Sequence, residues 1–114
     1  MTDTLIYYRT AERPDIELWL FDGDGALINY ASGFTFEFKI GNPGETAVLT
    51  KTSGITGAAG SGSEPSGTPN ITVTFTADEL DNVDVGTWTW QLKATSSGLN
   101  RFHQGPFLLK DVIT

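Results

Sequence analysis

The side chains with the clearest chemical potential are two aspartates that follow an apolar run, in the stretch LWLFDGDGAL from Leu18 to Leu27. An aspartate at the end of a buried strand can attack a phosphoryl group, and nearby carboxylates can ligate a divalent cation. Asp22 and Asp24 can equally build a tight turn, because Gly25 supplies the positive φ of a hairpin and Asp22 can bond the turn's own amides. The elements on either side of the motif decide between these roles.

The flanking elements favour the turn. In haloacid-dehalogenase-type phosphotransferases the D-x-D-G motif ends a central parallel strand that is apolar on both sides, and a helix follows it. Here the preceding strand carries Asp15 and Glu17, and the residues after Gly25 lead into another alternating strand. Position 26 is alanine where that family has threonine, and a calcium-binding EF-hand loop would need glutamate at position 33, which is glycine. We therefore predict a hairpin turn at Asp22–Gly25.

The other candidate catalytic groups are isolated or grouped on one turn. His103 is the sole histidine, and no nucleophilic serine or cysteine pattern accompanies it. Asn70-Ile71-Thr72 fits a glycosylation pattern but is predicted to begin a strand. Paired carboxylates can hydrolyse glycosides, but four of them lie around one turn that is predicted to be a solvated acidic surface: Asp78, Glu79, Asp81 and Asp84. We expect no enzymatic activity, no metal and no cofactor.

Alternation of apolar and polar residues dominates the chain and predicts its strands. The clearest strands are Phe34–Ile40, Ile71–Thr76 and Trp88–Ala94, where apolar side chains take every second position. Three more segments alternate less sharply: Asp15–Phe21, Ala47–Lys51 and Phe102–Val112. Only Ala77–Leu80 has a helical pattern, of one turn. The pattern predicts a single all-β domain over residues 1–114, an antiparallel immunoglobulin-like β-sandwich.

Two tryptophans close together are predicted to serve the fold. Trp88 and Trp90 lie two residues apart on one strand and should both enter the core. Trp88 also holds the position where immunoglobulin-like sandwiches often carry the tyrosine of their corner motif. A cofactor pocket is not expected around them.

Two segments are predicted to lie outside the sandwich. Ser53–Pro69 contains five glycines, and Ile55 is its one sizeable apolar residue. It should therefore be one long glycine-rich loop, either a binding loop or a disordered one. Residues Met1–Arg9 are a candidate arm. Our hypothesis is that both segments become ordered only against neighbouring subunits.

Composition excludes several classes of function. The 114 residues include 7 Lys and Arg against 14 Asp and Glu, and the net charge of −7 repels nucleic-acid phosphates. The lack of cysteine excludes disulfides and thiolate metal sites. No apolar run approaches the roughly 20 residues of a membrane span, and the N-terminus has no secretory pattern. Neither nucleic acid nor a membrane is an expected partner.

Aromatic residues outside the predicted core mark a candidate interface. If Ile16, Leu18 and Leu20 face the core, Trp19 and Phe21 lie on the outer face of the sheet. The alternative is that a neighbouring strand or the N-terminal arm covers them. The full set of candidate interface residues adds the arm and the glycine-rich loop: Tyr7, Tyr8, Trp19, Phe21 and Ile55.

The order of these features resembles the small immunoglobulin-like domains of tailed-bacteriophage structural proteins, in particular the N-terminal domain of baseplate upper proteins. The likeness rests on RPDIELWLFDGDGALINY, then FTFEFKI, a glycine-rich excursion, ITVTFTADELDNVDVGTWTWQLKAT and GPFLLKDV. It implies a non-enzymatic docking protein of the virion, assembled in the host cytoplasm, as a tail or baseplate component or a capsid decoration. Its partners would be other virion proteins or further copies of itself. The alternative function is a carbohydrate- or host-surface-binding module that uses Trp19 and Phe21.

Overall fold

The computed structural model describes residues 4–9, 14–63, 66–76 and 79–111. These residues form ten β-strands and no helix. The strands are β1 (Leu5–Arg9), β2 (Ile16–Leu18), β3 (Thr35–Gly41), β4 (Leu49–Lys51), β5 (Ile55–Gly57), β6 (Ser61–Ser63), β7 (Ser66–Thr68), β8 (Ile71–Val73), β9 (Gly86–Ser96) and β10 (Leu99–Asp111). All six predicted strands are present, with shifted ends.

The strands form two main sheets and a small hairpin. One sheet has the order β1-β10-β9-β3-β4, the second has the order β2-β8-β5, and β6 pairs with β7 alone. Immunoglobulin-like sandwiches likewise place strands G, F, C and C′ in one sheet and B, E and D in the other. Here β10, β9, β3 and β4 correspond to the first set, and β2, β8 and β5 to the second. The predicted all-β sandwich is confirmed.

The core lies between the two sheets and follows the predicted alternation. On β3, Phe38 and Ile40 are fully buried and Phe36 is half-buried. Phe34, just before the strand, is also half-buried, and both rings pack against the core. The Phe38 ring stacks on that of Trp90, with 6.4 Å between ring centroids. The buried Trp90 Nε1 has no hydrogen-bond acceptor among the described residues. Burial of that indole must therefore outweigh an unsatisfied donor, which costs about 1–3 kcal/mol.

Trp88 differs from Trp90 and lies at the edge of the core. Its ring is half-buried and packs against the core cluster, and its Nε1 donates to the Asp84 carbonyl, 2.9 Å away. A side-chain bond back to the backbone four residues upstream is the arrangement of the corner motif predicted for this position.

The predicted helical turn, Ala77–Leu80, comes before Trp88 in the chain. Ala77 and Asp78 are outside the described residues, and the next residues form a turn closed by Val83 N–H and the Leu80 carbonyl at 3.2 Å.

The N-terminal segment is part of a sheet, which corrects the arm prediction. Strand β1 pairs with the last five residues of β10, and the pairing is parallel although only antiparallel pairing was predicted. Tyr7 is buried in the core. Arg9 binds Asp111 through two nitrogens and donates to the Leu80 and Val83 carbonyls at 2.7 and 2.8 Å. Residues 5–9 are therefore held by contacts within the chain.

The glycine-rich segment is also more ordered than predicted. Within 53–69, strand β5 pairs with β8, and β6 pairs with β7 as a hairpin. Ile55 is half-buried against the core. The segment has almost no large side chains, so backbone pairing supplies the order that side-chain burial could not. The prediction of one long irregular loop was wrong for the residues described.

Candidate interaction surface

Asp22 organises a turn, as predicted. Its Oδ1 accepts hydrogen bonds from the amides of Asp24 at 2.9 Å and Ala26 at 3.0 Å. Both hydrogen bonds lower the pKa of the Asp22 carboxyl, and the bond from Ala26 has the larger effect. Gly25 has φ +83°, and Phe21 forms an antiparallel bridge with Leu27 across the turn. The carboxylate is engaged by local backbone, and the residues that follow form no helix.

Glu79, from the acidic turn, forms a partly buried ion pair. Its Oε1 lies 2.6 Å from Lys51 Nζ and 2.7 Å from the Thr76 amide. Lys51 is only 4% exposed, and its ammonium also lies over the Phe75 ring, 5.4 Å from the centroid. Burial alone would raise the pKa of Glu79, but the hydrogen bonds from Lys51 and Thr76 outweigh it and lower the pKa. The pair ties β4 to the connection that leads into β9.

The remaining acidic residues of that turn do not join this pair. Asp81 and Asp84 are exposed, as predicted for a solvated surface, and Asp78 lies outside the described residues. Among the residues that the structure describes, no group of three or more His, Asp or Glu side chains is placed to hold a metal ion.

His103 lies in an aromatic cluster at one end of the sandwich. Its Nε2 is 2.7 Å from the Tyr30 hydroxyl, and the Tyr30 ring meets Phe34 and Phe36 edge-on at centroid distances of 4.8 and 5.6 Å. Burial, and secondarily the charge of Arg101, lowers the pKa of His103. Burial raises the pKa of Tyr30. The hydrogen bond satisfies two polar groups that the fold has partly removed from water.

Asn70 is a structural residue. It is fully buried, and its Oδ1 accepts from the Leu20 amide at 2.8 Å. Its Nδ2 donates to the Leu20 and Ile28 carbonyls at 2.8 and 2.9 Å. The nitrogen that would carry a glycan is thus buried and occupied, and Asn70 immediately precedes β8, as predicted for the start of a strand.

The five candidate interface residues lie in different environments. Tyr7 is buried and donates to the Pro14 carbonyl at 2.7 Å, so it offers a partner almost no surface. Trp19 is half-buried, and its Nε1 donates to the Ser61 carbonyl at 3.2 Å, so the β6–β7 hairpin partly covers it. Ile55 packs against the core. Phe21 and Tyr8 remain 42% and 47% exposed.

The larger candidate surface is the outer face of the five-stranded sheet, which we call the front face. Side chains from neighbouring strands form rows across it. Leu108 is next to Ile6, and Lys110 is next to Tyr8. Three rows from Leu108, towards the start of β10, Phe102 is opposite Lys93. Ile6 and Phe102 are 53% and 56% exposed, and Pro106 lies between them on β10. Large apolar groups therefore line the β1–β10 side of the front face.

Polar groups occupy the rest of the front face. Glu37 lies between two lysines, with Oε1 3.5 Å from Lys39 Nζ and 3.7 Å from Lys93 Nζ. Gln91 is flanked by Lys39 on β3 and Gln104 on β10. These residues and the β3–β4 loop enclose an open groove of about 360 Å³.

Sequence reasoning identified Tyr8 but missed most of the front face. The alternation in β10 predicted which of its residues are buried but not which outward residues share a surface with other strands. Only the register of β1, β10 and β9 places Ile6, Phe102 and Leu108 on one surface. The available signal was weak. Ile6 and Leu108 each lie among other apolar residues in the chain, so the outward positions do not stand out.

Comparison of the chain with family models, curated proteins and solved structures finds no match. In the described residues, no helix has both the length and the apolar character needed to cross a bilayer. The interpretation of function therefore depends on the surface itself.

Proposed function

We propose that this protein is a non-enzymatic structural component of a tailed-bacteriophage virion and that it works by binding neighbouring protein subunits. Large apolar side chains exposed together on a regular sheet face are typical of protein-interaction surfaces. The observation that carries the proposal is the exposed set on the front face, namely Ile6, Tyr8 and Phe102. The immunoglobulin-like strand order agrees with the phage domains that the sequence resembles, although a fold alone does not specify a function.

The environments of the candidate catalytic groups also favour binding over catalysis. Asp22 is bonded to its own turn, and His103 is bonded to Tyr30. Glu79 is paired with the buried Lys51. Each of these polar groups is therefore engaged by a partner within the fold. Within the virion, the proposed role is that of a tail or baseplate component or a capsid decoration.

Mass spectrometry of purified particles tests the proposal. Virions isolated from the phage that encodes the chain should contain its peptides in a fixed ratio to the major structural proteins, after washing at high salt. Absence from particles that are otherwise complete would contradict the proposal.

Complementation tests the front face itself. Phages lacking the gene should be rescued by the wild-type chain but not by Phe102→Asp, which replaces an exposed ring of the front face with a charge. Leu99→Ser is the matched control, because Leu99 is 77% exposed but belongs to the opposite side of β10. Equal rescue by both variants would argue against the front face as the docking surface.

A carbohydrate- or host-surface-binding module is the second candidate, because Phe21 exposes an aromatic ring beside Trp19. Binding to a glycan array that Phe21→Ala abolishes would support it. Phe21 is the better probe, since Trp19→Ala would also remove the bond to the β6–β7 hairpin.

A further inference from the structure

The front face is basic in a protein that is strongly acidic. Three of the six Lys and Arg residues that the structure describes project from it: Lys39, Lys93 and Lys110. Only one of the ten described Asp and Glu residues projects from the strands of this face, and that residue, Glu37, lies between two of the lysines. Glu45 belongs to the β3–β4 loop at its margin. Lys110 extends over the Tyr8 ring, with Nζ 5.9 Å from its centroid, so charge and apolar surface are interleaved.

The opposite side of the sandwich has the complementary character. We call the outward side chains of β2 and its flanks the back face: Asp15, Glu17, Trp19 and Phe21. Ile16, Leu18 and Leu20 alternate with them and are buried in the core. Asp15, Glu17 and Phe21 are exposed. None of the residues of β2, β5 or β8 is Lys or Arg. An acidic surface with an exposed aromatic ring results, and the Asp22–Gly25 turn lies at its end.

We infer that the partner of the front face is the back face of a second copy of this chain. The front face has lysines beside apolar groups, and the back face has carboxylates beside aromatic rings. Opposite charges attract the front face to the back face, whereas two front faces or two back faces would repel each other. The two faces belong to different sheets and point in opposite directions. Their contact is therefore head-to-tail, and repetition builds a ring or a filament and not a closed two-fold dimer. This inference deepens the proposed function and rests on its claim that the chain binds protein subunits.

The front face is large enough to form one side of such a contact. Eleven residues of β10, from Asn100 to Lys110, extend about 33 Å, and the four spacings between five strands add roughly 19 Å of width. The flat projection is on the order of 600 Å², before the relief of side chains is counted. A stable protein interface buries about 800 Å² on each partner. The front face can therefore supply most of one interface.

Charge reversal on each face tests the inference. Sedimentation velocity and native mass spectrometry would be run on the wild type, on a front variant (Lys39→Glu with Lys93→Glu), on a back variant (Asp15→Lys with Glu17→Lys) and on the variant that combines all four. Every substituted side chain is at least partly exposed, and circular dichroism checks that each protein folds. Samples would span roughly 10 µM to 1 mM in 50 mM and 500 mM NaCl, because salt screens contacts between exposed charges.

We expect the wild type to form species larger than the 12.3 kDa chain, with association roughly tenfold weaker at the higher salt concentration. The front variant and the back variant should each be monomeric. Their equimolar mixture should associate again, because the intact back face of the front variant fits the intact front face of the back variant and the two reversed faces are also complementary. The combined variant should associate again, since its two faces remain complementary with reversed sign.

Two results would overturn the inference. A wild-type chain that stays monomeric at 1 mM in low salt would exclude the self-contact. Loss of association in the front variant but not in the back variant, without recovery in the combined variant, would show a two-fold contact between front faces. Neither result decides the proposed function, because the chain's presence in purified virions is measured separately.

Discussion

At the scale of single residues, the fold depends on a few polar side chains that hold distant backbone segments. Asn70 joins the start of β8 to the segment that contains Leu20 and Ile28, and Arg9 joins β1 to the turn before β9. Such residues satisfy carbonyl and amide groups that the sheets leave unpaired. Their removal should cost more than the loss of an ordinary surface hydrogen bond.

Replacement of Asn70 tests this role. Asn70→Ala leaves the Leu20 amide and the Ile28 carbonyl without the partner that Asn70 provides, whereas the Leu20 carbonyl still accepts from the Ile28 amide at 3.1 Å. With a cost of about 1–3 kcal/mol for each unsatisfied group, we expect a loss of at least about 2 kcal/mol in the free energy of unfolding. Urea denaturation would measure it, with Asn29→Ala as an exposed control. A loss below 1 kcal/mol would show that water replaces the amide.

The Lys51–Glu79 pair predicts an asymmetry between its two members. Glu79→Gln leaves the buried Lys51 ammonium without its counter-ion, whereas Lys51→Met removes the buried charge and leaves a carboxylate that is 23% exposed. Loss of one partner from a buried pair costs about 3–5 kcal/mol. We expect Glu79→Gln to approach that value and Lys51→Met to cost clearly less. Equal losses in urea denaturation would contradict the argument.

The same pair predicts a dependence of stability on pH. The folded state lowers the pKa of Glu79 below its ordinary value of 4.5, so its contribution to stability is present above pH 4.5 and is lost as the pH falls through the folded-state pKa. Urea denaturation between pH 6 and pH 3 should therefore show a shallower decline for Glu79→Gln than for the wild type. Parallel declines would indicate that other carboxyl groups control acid unfolding.

At the scale of elements, the glycine-rich segment shows how a chain without large side chains becomes ordered. Strand β5 pairs with β8 and lies close to the backbone before β3, where the Tyr30 amide donates to the Ala58 carbonyl at 2.9 Å. This close approach requires a residue without a side chain. A Cβ on Gly57 would overlap the Tyr30 carbonyl oxygen and lie 2.9 Å from the Phe36 ring.

Gly57→Ala should therefore be strongly destabilising. A methyl group at this position collides with backbone and not with a flexible side chain, so β5 must move away from Tyr30 or leave the sheet. We expect a loss on the order of 2–3 kcal/mol in thermal or urea unfolding. Gly23→Ala provides the control, because a Cβ there meets no atom within 4 Å. Similar stability of the two variants would mean that β5 is not packed as described.

At the scale of the whole molecule, both main sheets contribute to one cluster of buried residues. The cluster joins Tyr7 on β1 and Phe107 on β10 to Ile16 on β2 and Val73 on β8. A shared core couples the sheets, so neither should unfold separately.

This coupling predicts a single unfolding transition. In urea, tryptophan fluorescence and far-ultraviolet circular dichroism should give the same midpoint, since Trp90 lies between the sheets and reports on their contact. Trp88→Phe with Trp19→Phe would confine the fluorescence signal to Trp90. Separate midpoints would contradict the prediction of a single domain.

The sequence by itself determined the local features of this protein. Alternation placed Phe38, Ile40, Trp90 and Leu92 on buried faces, because successive side chains on a strand point to opposite sides wherever the strand lies. The Asp22 turn was predictable for the same reason, since its bonds join residues within four positions. Only the tertiary structure decided the rest. The pairing of β1 with β10 joins residues about 100 positions apart, and the front face exists because that pairing and two others align separate strands. Pairing between strands so far apart in the chain depends on which strand edges are still exposed after the core has formed. No local pattern in the sequence carries that information.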